Sequence, residues 1–259
     1  KGVANTRAGV EDLLIWLAKQ GIAVAQVHIT MEGTGVYHEV AAFALHERGV
    51  TVSIVNPAQV KALGQGLAVR TKTDSTDSFV LARYGALLKP VAWAPPSPEV
   101  RLLHALLARR EAIVQDLQRE RNRLEKANAT ETPTLIRSFL EETIIFLDRQ
   151  WRQLQATLDE HIDRHPDLKE DWALLKSIPG VGPQVASHML SVLRRYSFQS
   201  VEQVAAYLWL VPVEKQSGTS LLGRARLSKA GPSRLRAVLY MAAGAKRCNP
   251  TVKAVYERL

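Results

Sequence analysis

The sequence predicts an α/β domain that is followed by a coiled-coil arm and an all-α C-terminal domain. Apolar, β-branched runs alternate with amphipathic segments of helix length over about the first 90 residues, and this alternation is typical of a parallel sheet with helical crossovers. Residues 89–100 contain four prolines and indicate a linker, after which two long runs carry apolar residues at helical spacing. The predicted domains are therefore residues 1–92, 93–166 and 167–259.

The first domain is predicted to contain two buried strands, each followed by a helix. The strands are residues 22–31, "IAVAQVHITM", and the run "VTVSIVNP", which Pro57 closes. Helical patterns cover residues 10–19, the stretch that ends at Gly49, a short segment after Pro57, and a segment that begins near Asp74.

The arm is predicted from two long apolar stripes on either side of a short break, "ATETPT". A pair of helices joined in this way favours an antiparallel coiled-coil hairpin, although the core of a plain helical bundle would leave the same pattern. The stripes are Leu102, Leu106, Ile113, Leu117 and Leu124 on the first helix, and Leu140, Ile144, Leu147, Trp151, Leu154, Leu158 and Ile162 on the second.

Composition restricts the function classes. The chain has 259 residues, 46% of them hydrophobic, and a net charge of +9, so it can form a core and favours an anionic partner such as nucleic acid. Its single cysteine, Cys248, excludes an intrachain disulfide and a zinc site built from cysteines. No apolar run approaches the roughly 20 residues that span a membrane. We therefore expect a cytoplasmic protein.

The C-terminal domain carries two features that suit a phosphate backbone. In "SIPGVGPQVASHML", Gly180 and Gly182 form a turn like that of a helix-hairpin-helix, in which backbone amides approach a phosphate; an ordinary helix–helix turn is the alternative. Basic residues then gather near the segment "QSGTS" and would neutralise phosphates, unless they form only a solvated face. They are Lys215, Arg224, Arg226, Lys229, Arg234 and Arg236.

Three carboxylates in the first domain form a candidate metal site. Asp74 and Asp77 in "RTKTDSTDSF" lie three apart at the start of a predicted helix and would share a face. Glu32 follows the first strand, at the edge where open α/β sheets place their sites. Such a set could hold Mg²⁺ or Mn²⁺ for phosphodiester chemistry. The alternative is that Asp74 or Thr73 caps the helix and that Asp77 is a favourable first-turn charge.

Residues 31–90, together with "LLKSIPGVGPQVASHML" and the run from Leu210 to Ala243, resemble the DEDD transposases of the insertion-sequence "one-ten" family, which are bridge-RNA-guided recombinases. The resemblance implies a RuvC-like, ribonuclease-H-type fold for the first domain and a structured guide RNA that pairs with target and donor DNA. It assigns Glu32, Asp74 and Asp77 as the second, third and fourth acidic residues. It assigns Ser217 as the nucleophile, with Ser220 and Ser228 as alternatives.

The resemblance also implies an earlier acidic residue, on a strand that would precede Lys1, and further helix after Leu259. Asp12 lies in the following helix and does not replace that residue, so a chain shortened at both ends is expected.

The expected function is RNA-guided DNA strand exchange by a homo-oligomer, a dimer or tetramer in which the serine and the carboxylates come from different protomers. The alternatives are a metal-dependent nuclease or junction resolvase of the same fold, and an inactive remnant that only binds nucleic acid.

Overall fold

The structure is a computed structural model that describes residues 2–33, 35–71, 73–217, 221–227, 233–244 and 249–258, the side chains of 213–217 and 221–224 excepted. The chain divides into two compact units, and the boundary along the chain lies between Pro95 and Pro96.

The first unit contains a short parallel sheet, as the sequence predicts. Strands β1 and β2 pair in register from His28–Thr51 to Glu32–Val55. The elements are α1 (Arg7–Lys19), a 3₁₀ turn (Val24–Gln26), β1 (His28–Glu32), α2 (Glu39–Glu47), β2 (Thr51–Val55), α3 (Pro57–Gly66) and α4 (Asp74–Leu88).

The first strand is shorter than predicted. The 3₁₀ turn occupies its expected beginning, Ile22 is exposed, and β1 itself is mostly half-buried. The strand prediction fails there because strand preference depends on cross-strand and packing neighbours, which the local sequence does not reveal.

Helices cover both faces of the sheet. Val52 packs with α1 and α2 through Leu14 and Leu45, whereas Val55, on the opposite face, packs with α3 and α4 through Val60 and Val80. Alternate residues of one strand therefore enter two different cores.

The proline-rich stretch is attached to this unit as far as Trp93. The amide of Trp93 donates to the carbonyl of Val52 at 2.7 Å, and its ring meets Phe43 edge-on at 5.1 Å. Residues 90–93 therefore pack on the first unit and are not a free linker.

The second unit is built on two long antiparallel helices. The direction follows from their contacts, because His161 lies against Glu99 and Asp148 against Arg121. The hairpin is as predicted; whether it supercoils stays a prediction. The elements are α5 (Pro98–Asn128), α6 (Thr134–Arg164), α7 (Pro166–Lys176), α8 (Pro183–Arg195), α9 (Val201–Tyr207), β3 (Pro212–Ser217), β4 (Leu221–Leu227), α10 (Ser233–Ala243) and α11 (Pro250–Arg258).

Its core lies where α5 and α6 meet α7 and α8. Leu103 and Leu107 of α5 are buried there beside Leu158 and Leu190. Of the predicted stripe, Leu106 packs against this core, but Leu102 is 49% exposed and was wrongly assigned to it.

The prediction of an all-α C-terminal domain is also wrong. Strands β3 and β4 form an antiparallel pair between α9 and α10. Apolar and basic residues alternate in "LLGRARL", and this period of two indicates a strand.

Candidate catalytic site

The carboxyl edge of the parallel sheet forms the floor of the candidate site. Both strands end at this edge because they run in the same direction. Glu32 is the last residue of β1 and is half-buried. Helix α3 starts directly after β2, where Asn56 Oδ1 accepts a hydrogen bond from the amide of Ala58 at 2.9 Å. The start of α3 and the carboxylate of Glu32 therefore lie at one edge.

Thr73, not Asp74, caps helix α4. Thr73 Oγ1 accepts from the amide of Thr76 at 3.3 Å, and Thr76 Oγ1 accepts from the amide of Thr73 at 2.9 Å. The capping alternative is thus confirmed for Thr73. Because the threonines satisfy the helix end, the exposed carboxylates of Asp74 and Asp77 are left available for another role.

Two of the three predicted carboxylates line the same cavity. Glu32 from β1 and Asp77 from α4 line one cavity of about 470 Å³. Asp74, at the first residue of α4, lies outside the wall of this cavity. In the described part of the chain, no three His, Cys, Asp or Glu side chains lie close enough together to hold a metal ion.

The cavity also has two cationic side chains that were not predicted as site residues. Lys61 from α3 and Arg70 from the segment before α4 line it together with the carboxylates. A sequence signal for Lys61 did exist, because it lies one turn after the Asn-Pro start of a helix at this edge.

The serine segment is described in its backbone. Ser217 is the last residue of β3, and its backbone pairs with Leu221. Lys215 and Arg224 also lie in this strand pair. Arg226 is exposed on β4, while Ser220, Ser228 and Lys229 lie outside the described residues.

The two arginines of α10 interact with other groups of the protein and are not part of a fully solvated basic face. Arg234 forms an ion pair with Glu111 of α5, and partial burial lowers the pKa of Arg234. Arg236 is half-buried and interacts with other groups of the protein. The role of both residues in binding DNA stays a prediction.

The glycine turn leads into a helix whose first turn has no side-chain cap. Gly180 has a φ of 94°, a conformation that favours glycine, and exposed Gly182 precedes the first turn of α8 without a side-chain cap. Buried Asn249, which sequence reasoning missed, fixes this turn by donating from Nδ2 to the carbonyl of Pro179 at 3.0 Å. Whether the turn acts as a helix-hairpin-helix stays a prediction.

Comparison with known proteins identifies the family. Residues 1–128 match the DEDD domain profile of the IS110 family, described as "Transposase", and residues 172–257 match "Transposase IS116/IS110/IS902 family". The "Pilin gene-inverting protein" of Moraxella lacunata is 33% identical over 240 residues, which are 92% of this chain and 73% of that protein. The chain belongs to the IS110 family of transposases. The resemblance inferred from the sequence is confirmed.

Two further proteins are similar in sequence to this transposase. The "Pilin gene-inverting protein" of Moraxella bovis is also 33% identical over 240 residues, with the same 92% and 73% coverage. The "Insertion element IS110 uncharacterized 43.6 kDa protein" of Streptomyces coelicolor is 28% identical over 131 residues, which are 50% of this chain and 31% of that protein. None of the helices in the transposase's described ranges is both long and apolar enough to cross a bilayer.

The residues at the cavity of the transposase fit a hard divalent cation by their chemistry. Carboxylate oxygens are the ligands that such ions prefer, and Glu32 and Asp77 supply them from two different elements. Two carboxylates are enough where substrate phosphate and water complete the coordination, as is usual for Mg²⁺.

A buried polar cluster supports the second unit of the transposase and lies between α5 and α8. Arg110, which is only 6% exposed, donates to Gln155 at 3.0 Å and lies 3.5 Å from His188. Burial, with a smaller contribution from Arg110, lowers the pKa of His188 to about 4. His188 is therefore neutral at pH 7, which is how a histidine can be tolerated beside a buried arginine.

Proposed function

We propose that this chain catalyses RNA-guided, metal-assisted DNA strand exchange with Ser217 as the nucleophile, on a first unit of the RuvC-like, ribonuclease-H type. The observation that carries the proposal is that Glu32, at the carboxyl edge of a parallel sheet, and Asp77 line one cavity in an IS110-family chain. The guide RNA and the prokaryotic host rest on the family resemblance alone.

The carboxylates prepare the phosphodiester for attack. Glu32 and Asp77 would hold Mg²⁺ or Mn²⁺, with Asp74 one turn away on the same helix. When bound, the ion supplies positive charge that stabilises the attacking and leaving oxygens. The half-buried position of Glu32 fixes one donor on the sheet, while Asp77 approaches from the start of α4.

The serine step conserves atoms and charge. Ser217 Oγ forms a bond to the phosphorus, the bond between phosphorus and the leaving deoxyribose oxygen breaks, and that oxygen takes up the serine proton. Arg224, Arg226 and Lys229 would neutralise the phosphate during this transfer. The product is a covalent phosphoserine link, which preserves the energy of the phosphodiester for rejoining.

Oligomerisation would bring serine and carboxylates of different protomers together. Helix α6 carries another, exposed apolar stripe, which consists of Leu135, Phe139 and Phe146 at spacings of four and seven residues. Such a stripe is consistent with packing against a partner copy. A homodimer or tetramer built on the arm is therefore part of the proposal.

The decisive experiment looks for the covalent intermediate. The protein is incubated with DNA from the ends of its own element, its guide RNA and Mg²⁺, and separated on a denaturing gel. A protein–DNA adduct should form, and S217A should abolish it without weakening DNA binding, since one hydroxyl contributes little beside many phosphate contacts.

Other serine variants separate the alternatives. Adducts that persist in S217A but vanish in S220A or S228A would move the nucleophile along the segment. Strand cleavage that persists in all three variants would favour a nuclease or junction resolvase. Binding without any cleavage by the wild type would favour an inactive remnant.

A further inference from the structure

Lys61 and Arg70 are held at the mouth of the carboxylate cavity by the local fold. Lys61 lies on α3, whose first residue, Pro57, also lines the cavity. Arg70 follows a tight turn in which Ala68 has a φ of 54° and the amide of Val69 donates to the carbonyl of Gly64 at 3.0 Å. Val69 then packs against the core of α3 and α4. The backbone at Arg70 is therefore held in place beside the cavity.

Within the described part of the chain, neither Lys61 nor Arg70 lies within ion-pair distance of a carboxylate, although both side chains share a cavity with Glu32 and Asp77. Two other cations of this unit are paired: Arg7 with Glu47, and Arg48 with Glu11. Among the described residues, the two cations and the two carboxylates that line the cavity balance in formal charge.

We propose that Lys61 and Arg70 bind the phosphate of the DNA strand and hold it against Glu32 and Asp77. This proposal rests on the proposed function, for which a phosphate must approach two groups of its own charge. Arginine offers a planar set of donors that fits a phosphate, and lysine adds a compact charge. Together they compensate the repulsion between the strand and the carboxylates.

The balance of charges gives a test that needs neither metal nor strand chemistry. In EDTA, E32Q/D77N leaves two uncompensated cations in the cavity. Binding of a fluorescein-labelled duplex DNA, measured by anisotropy over a range of salt concentrations, should become tighter. The slope of log K against log[salt] should steepen by about 2, since each phosphate contact contributes about 0.9.

The gain should depend on the two cations. Adding K61A/R70A to E32Q/D77N should remove it, and adding K61R/R70K should preserve it. The matched control is K19A/R83A, which removes two exposed cations of the same unit that do not line the cavity; here the gain should remain. Circular dichroism melting checks that each variant is folded.

An equal gain in DNA affinity in the K61A/R70A background, or no gain from E32Q/D77N at all, would overturn the proposal that Lys61 and Arg70 bind the phosphate. The serine adduct is measured separately. If the binding measurements fail as described but a Ser217-dependent adduct still forms, only the phosphate-binding role of Lys61 and Arg70 is rejected. If the binding measurements give the expected gain and its loss but no adduct forms, only the proposed function is rejected.

Discussion

Gly85 allows helix α4 to lie close to the sheet that carries the candidate site. A Cβ at this position would lie 2.4 Å from Thr30 Oγ1 on β1. Either the Thr30 side chain or the helix would have to shift to accept it, and Asp77 belongs to that helix. A small residue at position 85 thus helps to set the distance between the carboxylates of Asp77 and Glu32.

We expect G85A to destabilise the protein by about 1–3 kcal/mol, the usual cost of overpacking. T30A should restore much of the loss, because it removes the clashing oxygen. Urea unfolding measures both. G66A is the control, since a Cβ there meets nothing within 4 Å; a loss as large as that of G85A would contradict the clash.

His188 should make stability depend on pH. Its pKa is lowered from 6.5 to about 4, so the unfolded chain binds a proton at higher pH than the folded one. The contribution of neutral His188 to stability is complete above pH 6.5 and is lost as the pH falls toward 4. Between pH 7 and pH 5 the melting temperature should fall less in H188Q than in the wild type.

The control for this prediction is H46Q, which changes an exposed histidine of the other unit. It should keep the pH dependence of the wild type. Identical pH profiles for H188Q and the wild type would show that His188 is not kept neutral by burial.

Among the elements, those with strong local signals were predictable from the sequence. Helix α4 begins at Asp74 because Thr73 supplies a cap, and β2 ends at Val55 because Asn56 and Pro57 start a helix. The position of Glu32 at the site follows from the rule that parallel strands end at one edge.

Other elements depend on contacts that spacing alone does not reveal. The α5 stripe turns toward Leu103 and Leu107 because α6, α7 and α8 meet it there. The β3–β4 pair needs both of its strands at once. Asp74 lies outside the cavity wall although it shares a helix with Asp77, and no pattern in "RTKTDSTDSF" distinguishes the two residues.

The exposed stripe on α6 should mediate association. Phe139 is 55% exposed, so a charge at this position should be tolerated by a monomer but not by an apolar interface between copies. We expect F139D to lower the sedimentation coefficient at concentrations where the wild type is a dimer or tetramer. Q153D places the same charge at an exposed polar position of α6 and should leave association unchanged. A monomeric wild type would contradict the prediction.

At the scale of the whole molecule, a net charge of +9 favours DNA, while the described charges that line the candidate cavity balance one another. Attraction over the entire surface brings the nucleic acid to the protein and falls with salt. Selection of one phosphate for reaction would then depend on the few groups at the carboxyl edge of the sheet. Binding and chemistry should accordingly respond differently to mutation.

Divalent cations should stabilise the folded protein through this cavity. A ligand that binds only the folded state adds about 1.4 kcal/mol at a tenfold excess over its Kd, which corresponds to a rise of a few degrees in melting temperature. The rise should appear with Mg²⁺ or Mn²⁺ but not with KCl of equal ionic strength. Since Glu32 and Asp77 line the cavity and Asp74 does not, E32Q and D77N should abolish the rise, whereas D74N should retain most of it. Equal loss in D74N and D77N would show that both aspartates bind the ion, and an unchanged wild-type melting curve would argue against a metal site here.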